Sequence, residues 1–379
     1  MKSADLLVRK FRRYPFWSQV LLTLGSIVVL VALWSACGLP PPASRRPLLA
    51  TPQLEWNAQG GPVLALAYNS KGAWLASGTA DGVVRLWDSS NGELIHSLKG
   101  HNAGVTSLAV NSDGSLLATG SLDMTVKLWN PAKEEELHTF VGHTAPVTGV
   151  VFSPDGRWLA SASRDKTIKI WSVSTAALIR TLEGHTLAIN SIALSPNGQI
   201  LASASNDATI RLWEPSTGNL LHTLSGQNSS VLSVAFSPDG KLLASTGIQL
   251  FPGDHKALLK LWDPVSGKEA FSFFGLLGDA RSIVFRPDNK VLASASGSYD
   301  VFGINSWLLS GRTPLRSWNA SHAVISALAY SPDGSWLASG AADGRISLWN
   351  GGTGAQEARF ASPVFHFSSR LPVSVPSPQ

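Results

Sequence analysis

The 379-residue chain is 44% hydrophobic and 15% charged, with 34 glycines and 14 tryptophans, a balance that excludes disorder over most of its length and describes an ordered, turn-rich fold. Its formal net charge of +5 gathers at the start. Lys2, Arg9, Lys10, Arg12 and Arg13 against Asp5 give +4 there, leaving about +1 for the rest, which lacks the cation surplus of a phosphate-binding face and argues against a nucleic-acid partner.

Residues 17–36, WSQVLLTLGSIVVLVALWSA, are twenty consecutive uncharged residues. As one hydrophobic helix rising about 1.5 Å per residue they would cross the roughly 30 Å core of a bilayer. The basic cluster ahead of them predicts a cytoplasmic start and a periplasmic or lumenal location for everything that follows. Cys37, the only cysteine, ends the run in LWSACG. A basic start, an apolar stretch and the small residues Ser35 and Ala36 before a cysteine resemble a bacterial lipoprotein signal, which makes Cys37 a lipidation candidate. Trp34 departs from the aliphatic residue of that pattern. An uncleaved signal-anchor helix is the second reading, and secretory cleavage, without a clean A-x-A site, the third. Residues 1–37 are therefore read as basic start and signal or anchor. GLPPPASRRP, residues 38–47, reads as an extended spacer.

From residue 48 to 362 one pattern recurs: an alternating apolar run, a turn such as SPDG, then a run such as LASASRDKTIKIW. Its final tryptophan falls at Trp87, Trp129, Trp171, Trp213, Trp262, Trp307 and Trp349, mostly 42 residues apart. Seven units of short β-patterned stretches joined by Asp-Gly, Asn-Gly and Ser-Gly turns leave no length for crossover helices. One four-stranded unit cannot bury both faces, whereas a closed ring of them can. The expected fold is all-β: a seven-bladed propeller of four-stranded antiparallel sheets, preceded by the N-terminal hydrophobic helix. Two segments compete to complete the seventh blade. Leu54 and Trp56 match the outer-strand pattern, and so does Gln356–Phe360; pairing both chain ends in one sheet removes an open seam and favours the first. Residues 363–379 read as a disordered tail.

The units resemble the WD-repeat family. Gly-His stands at 100–101, 142–143 and 184–185, with Ser321-His322 as a shortened version, and Trp-Asp is intact at 87–88 and 262–263. The resemblance implies buried hydrogen-bonded sets His101/Thr119/Asp123/Trp129, His143/Ser161/Asp165/Trp171, His185/Ser203/Asp207/Trp213 and His322/Ser339/Asp343/Trp349. Fully paired groups of this kind pin loops and are read here as structural, not catalytic. Gln59, Gln227 and Leu276 replace the histidine in blades 1, 5 and 6, which makes those blades the expected softer part. His96, His138 and His222 recur at equivalent outer-strand places, while His255 and His366 stand alone, so no metal set converges. There is no HExxH, GxSxG or GxxxxGK, and neither enzyme chemistry nor a cofactor is expected.

The family geometry further implies that partners dock where the first-strand loop and the second-to-third-strand loop meet. Leu122, Arg164 and Asn206 precede the turn aspartates there, with Ala80 and Ala342 at the same position. Pro146, Thr148, Asp279 and Arg281 join them. The long fifth unit adds GIQLFPGDH, whose Leu250 and Phe251 are expected near Tyr299, either as an interaction patch or packed down on blade 6. The resulting expectation is a non-catalytic, membrane-tethered, monomeric scaffold for proteins or peptides; a ligand-sensing or enzymatic central channel is the alternative.

Overall fold

A computed structural model of the chain describes residues 52–227, 229–247, 259–273, 279–298 and 301–351. The expected N-terminal helix, Cys37, the linker and the tail lie outside them, as do His255, Leu276, Leu250, Phe251 and Tyr299. No helix among the described residues is long and apolar enough to cross a membrane.

The described residues form seven four-stranded antiparallel sheets. Blade 3 shows the plan: an inner strand Val147–Phe152, a second strand Trp158–Ser163, a third Ile168–Ser172 and an outer Leu178–Leu182. Alternation along the third strand buries Ile168, Ile170 and Trp171 and leaves Lys169 half-exposed, as a period-two pattern requires. The second strands differ. They read LASGT, LATGS, LASAS or LASTG and are buried throughout, because neighbouring blades cover both their faces.

Small residues let the blades approach. A Cβ on Gly120 would lie 2.6 Å from Val147 Cγ1, and one on Gly340 only 2.4 Å from Val63 Cγ1. These contacts fall where blade 2 meets blade 3 and where blade 7 meets blade 1. The second is the ring's closing interface, with Val63, Leu66, Leu75, Trp87, Ala338 and Leu348 in one core cluster.

The N-terminal segment completes blade 7. Leu54–Asn57 pairs antiparallel with the third strand, Arg345–Asn350, in the register Leu54↔Leu348 to Asn57↔Arg345. Glu55 accepts from Arg345 Nη1 at 2.8 Å and from Ser347 Oγ at 3.1 Å. Trp56 packs on Trp87 of blade 1, ring centroids 6.0 Å apart. The first chain end thus bridges the seam to both neighbours.

Strand direction defines two ends of the ring. Inner and third strands run toward the end bearing turns such as Ser153-Pro154-Asp155-Gly156, here the turn face. Second and outer strands run back toward the end bearing the histidines and turn aspartates, here the histidine face.

Candidate functional site

The loops of the histidine face are held by polar chains that begin at the recurring tryptophans of the repeat. In blade 2 the Trp129 indole donates to Thr119 Oγ1 at 3.0 Å; Thr119 lies 2.7 Å from His101 Nε2, and His101 Nδ1 lies 2.8 Å from Asp123. Blade 3 repeats this through Trp171, Ser161, His143 and Asp165, with distances of 2.8, 2.8 and 2.7 Å. In blade 4, Trp213, Ser203, His185 and Asp207 stand 2.9, 2.8 and 2.8 Å apart. One protonation pattern satisfies every group: a neutral histidine donates from Nδ1 to the carboxylate and accepts the hydroxyl proton at Nε2. Each aspartate also caps its own loop; Asp207 takes the Thr186 amide at 3.1 Å, the Thr209 amide at 3.0 Å and the Thr209 hydroxyl at 2.6 Å.

Burial lowers the pKa of His101 and His185, outweighing the opposing pull of Asp123 and Asp207. Burial acts to raise the aspartates, yet the hydrogen bonds from Thr125, the Asn102 amide and His101 hold Asp123 at about 2. Thr209 and His185 do the same for Asp207, also at about 2, and Asp165 is held low by His143 and Thr167. Both kinds of group make the native state bind fewer protons than the unfolded chain, so stability rises with pH across their windows. Thermal melts should therefore show the melting temperature falling as pH drops below about 6.5, where unfolded histidine protonates, and more steeply below about 4. His185→Gln should flatten the upper limb. A melting temperature constant from pH 7 to 4 would contradict this account.

Ser161, His143 and Asp165 have the composition of a hydrolytic triad, but not its exposure. The Ser161 hydroxyl is wholly buried, accepts an indole N–H and offers no face to a substrate. No group of three or more histidines, cysteines or carboxylates capable of holding a metal occurs among the described residues. At the turn-face end the inner strands of blades 1–4 border a pocket of about 460 Å³ whose lining includes Ala67, Leu108, Val110, Phe152, Leu194 and Pro154. No acid or base lines it.

The set named for blade 7 is not formed. Trp349 donates to Ser339 at 2.8 Å, but His322 is exposed, and Asp343 turns outward, 3.6 Å from Arg345 Nε. The cause is a missing residue. His101 precedes its inner strand by four positions and His322 by three, and blade 6's outer strand runs on through Ser321 where blades 2–6 have glycine before the histidine position. A one-residue slip points the ring away from the core.

The blades without histidine keep parts of the arrangement. In blade 1, Gln59 is exposed and Asp81 pairs with Arg85 Nη2 at 2.8 Å, with Thr79 Oγ1 at 2.5 Å. Blade 5 buries Gln227, whose Nε2 donates to Ser245 Oγ at 2.6 Å, and Ser245 also accepts from Trp262. In blade 6 the buried Ser294 hydroxyl has no partner. His96 sits 2.8 Å from Glu134, and His222 Nε2 lies 3.0 Å from the Val265 carbonyl, each tying an outer strand to a turn of the next blade.

Leu122, Arg164 and Asn206 stand at equivalent, exposed places. Their amides donate to the carbonyls of Gly104, Pro146 and Ala188, each at 2.9 Å, and Ala80 and Ala342 make the same bond. Arg281 is exposed at the channel mouth, its Nη2 3.9 Å from Asp279. Thr148, expected to face a partner, instead donates to the Ile189 carbonyl of blade 4 at 2.8 Å. Thr106 and Asn190 likewise reach Val147 at 2.6 Å and Val231 at 2.8 Å. These inter-blade pins were signalled by a polar residue five positions after each Gly-His histidine. Asn190 also holds the Asn206 side chain at 2.6 Å. Sequence reasoning missed Met124 and Leu187, 43% and 49% exposed, on the same histidine face as Leu122.

Fold and site together define a seven-bladed propeller with internally pinned loops and no chemical centre among the described residues. A family model for the WD domain, G-beta repeat, matches residues 50–88, 92–130, 134–172, 176–214, 218–263 and 312–350, and the chain belongs to this WD40 family. The unmatched interval 264–311 contains the first three strands of blade 6, where the Ser294 hydroxyl has no partner among the described residues. Among curated proteins, the ribosome biogenesis protein BOP1 homolog of Oryza sativa subsp. japonica is 39% identical over 57 residues, 15% of this chain and 8% of that protein. Mitochondrial division protein 1 of Saccharomyces cerevisiae is 55% identical over 40 residues, 11% of this chain and 6% of that protein. The chain thus spans less than a tenth of either relative.

Proposed function

We propose that the protein is a non-catalytic, membrane-tethered scaffold whose protein or peptide partners dock on the histidine face. The observation that carries this reading is the exposure of Leu122, Met124 and Leu187 on loops whose backbones are already fixed by hydrogen bonds. Rigid loops lose little entropy when a partner arrives, and exposed apolar side chains with a cation such as Arg164 on the same face have the composition of an interface core with a charged rim. Residues 17–36 supply the tether in this reading, through lipidation of Cys37 or as an uncleaved anchor, with the propeller on the non-cytoplasmic side. A monomeric ring and the absence of a nucleic-acid partner belong to the same proposal.

The test is Leu122→Asp with Leu187→Asp in the full chain, followed by quantitative co-purification at endogenous level. At least about a tenfold loss of a stoichiometric partner, the equivalent of about 1.4 kcal/mol, with an unchanged melting temperature, is the expected result. Retained partners, or partners lost only together with stability, would overturn it. Intact mass separates the anchors: a chain carrying Met1 and no lipid on Cys37 rules out the lipoprotein form.

A further inference from the structure

Exposed apolar side chains recur at the start of the outer strands. Leu94 and Ile95 in blade 1 are each 43% exposed, Leu178 and Ile179 in blade 3 are 47% and 54%, and Leu220 and Leu221 in blade 4 are 44% and 42%; Leu137 of blade 2 adds 37%. Leu94, Leu178 and Leu220 each pair with the tryptophan of their own third strand. They therefore share one level of the ring, on its turn-face rim. Glu136 in blade 2, opposite Trp129, Glu269 in blade 5, opposite Trp262, and Pro314 in blade 6, opposite Trp307, break the row at that register, blade 2 keeping Leu137 one position on.

The chain enters the ring at that level. Leu54–Asn57 is an outer strand, so it starts from the turn face, and the Gln53 amide bonds to the Leu348 carbonyl beside Trp349. Residues 52 and 53 thus stand in blade 7 where Leu94 and Ile95 stand in adjacent blade 1. Only residues 37–51 separate this point from the apolar run 17–36. Fully extended, that spacer reaches about 50 Å, enough to permit several orientations of the ring without selecting one. The belt selects.

We propose that the apolar side chains of blades 1, 3 and 4, with Leu137 of blade 2, rest against a lipid surface, so that the turn-face rim meets the bilayer and the histidine face is presented away from it. This rests on the tethering reading above, and it adds an orientation that the tether alone does not supply. The flanking charges Glu93, Glu135 and Arg180 are of mixed sign, so the contact is apolar and does not require anionic lipid.

The test uses the full chain in phosphatidylcholine vesicles with and without brominated acyl chains. An environment-sensitive fluorescent amino acid is placed by stop-codon suppression at Ile179 or Leu221, or at exposed Thr186 on the histidine face as the control, leaving Cys37 in place. Bromine should quench the probe about twofold or more at 179 and 221, as for a group about 5–10 Å into the headgroup boundary, and should leave the probe at 186 unchanged. If the protein floats with the vesicles while all three probes respond alike, the belt proposal falls and the tether stands. A protein that does not float overturns both. Bromine-independent shielding of the probes at 179 and 221 with a doubled particle mass would assign the belt to a second copy and overturn the lipid contact.

Discussion

Asp207→Ala should destabilise the propeller by about 3 kcal/mol, whereas Asp343→Ala should cost less than about 0.5 kcal/mol, although the two occupy equivalent places in the repeat. Asp207 accepts from His185, from two amides and from the Thr209 hydroxyl. Its removal leaves an imidazole N–H, two amides and a hydroxyl without their acceptor in a site that water enters poorly, and stranded donors cost more than the bond itself contributed. Asp343 is exposed and pairs with exposed Arg345. For a body of about 300 residues the first change corresponds to roughly 5 °C in melting temperature. Equal shifts in the two variants, measured by thermal unfolding at neutral pH, would contradict the assignment of blade 7 as a blade without the histidine set.

The ring's closing interface offers a second large effect. Gly340→Ala should cost about 2 kcal/mol, because its new Cβ would meet Val63 Cγ1 at 2.4 Å and Val63 Cβ at 3.0 Å, in a core where Val63 is wholly buried. Val63 begins the inner strand of blade 1, so the strain falls between the two ends of the ring and cannot be relieved within one sheet. Val63→Ala should open space for it. The double variant should therefore be more stable than the sum of the two single changes predicts, by about 1 kcal/mol in a double-mutant cycle. Strict additivity would show that the blades part slightly and that the close approach does not limit their packing.

Much of this architecture was legible in the chain. The recurrence of tryptophan from Trp87 to Trp349 gave seven units, and the spacing of His143, Ser161, Asp165 and Trp171 told which side chains would meet. Such spacings work because each blade is built from hairpins, so a regular turn sets the register of the strands beside it. His322 escaped the same reasoning. Its motif survives with one residue fewer, and a residue count cannot tell whether a ring nitrogen still reaches its carboxylate. The pins made by Thr106, Thr148 and Asn190 escaped it as well, since their acceptors are backbone carbonyls of the next blade.

The sequence by itself determined the all-β character, the number of blades and the composition of the polar sets of blades 2–4, since these follow from local alternation, turn chemistry and repetition. Only the tertiary structure decided which segment closes the ring. Leu54–Trp56 and Gln356–Phe360 have the same strand pattern, and the choice depends on contacts made across the whole chain, Glu55 with Arg345 and Trp56 with Trp87. It also decided the outward turn of His322, the replacement of a histidine set by Asp81 and Arg85 in blade 1, and the alignment of Leu94, Leu178 and Leu220 on one rim. Each depends on where strands distant in sequence come to lie side by side, and local pattern carries no information about that.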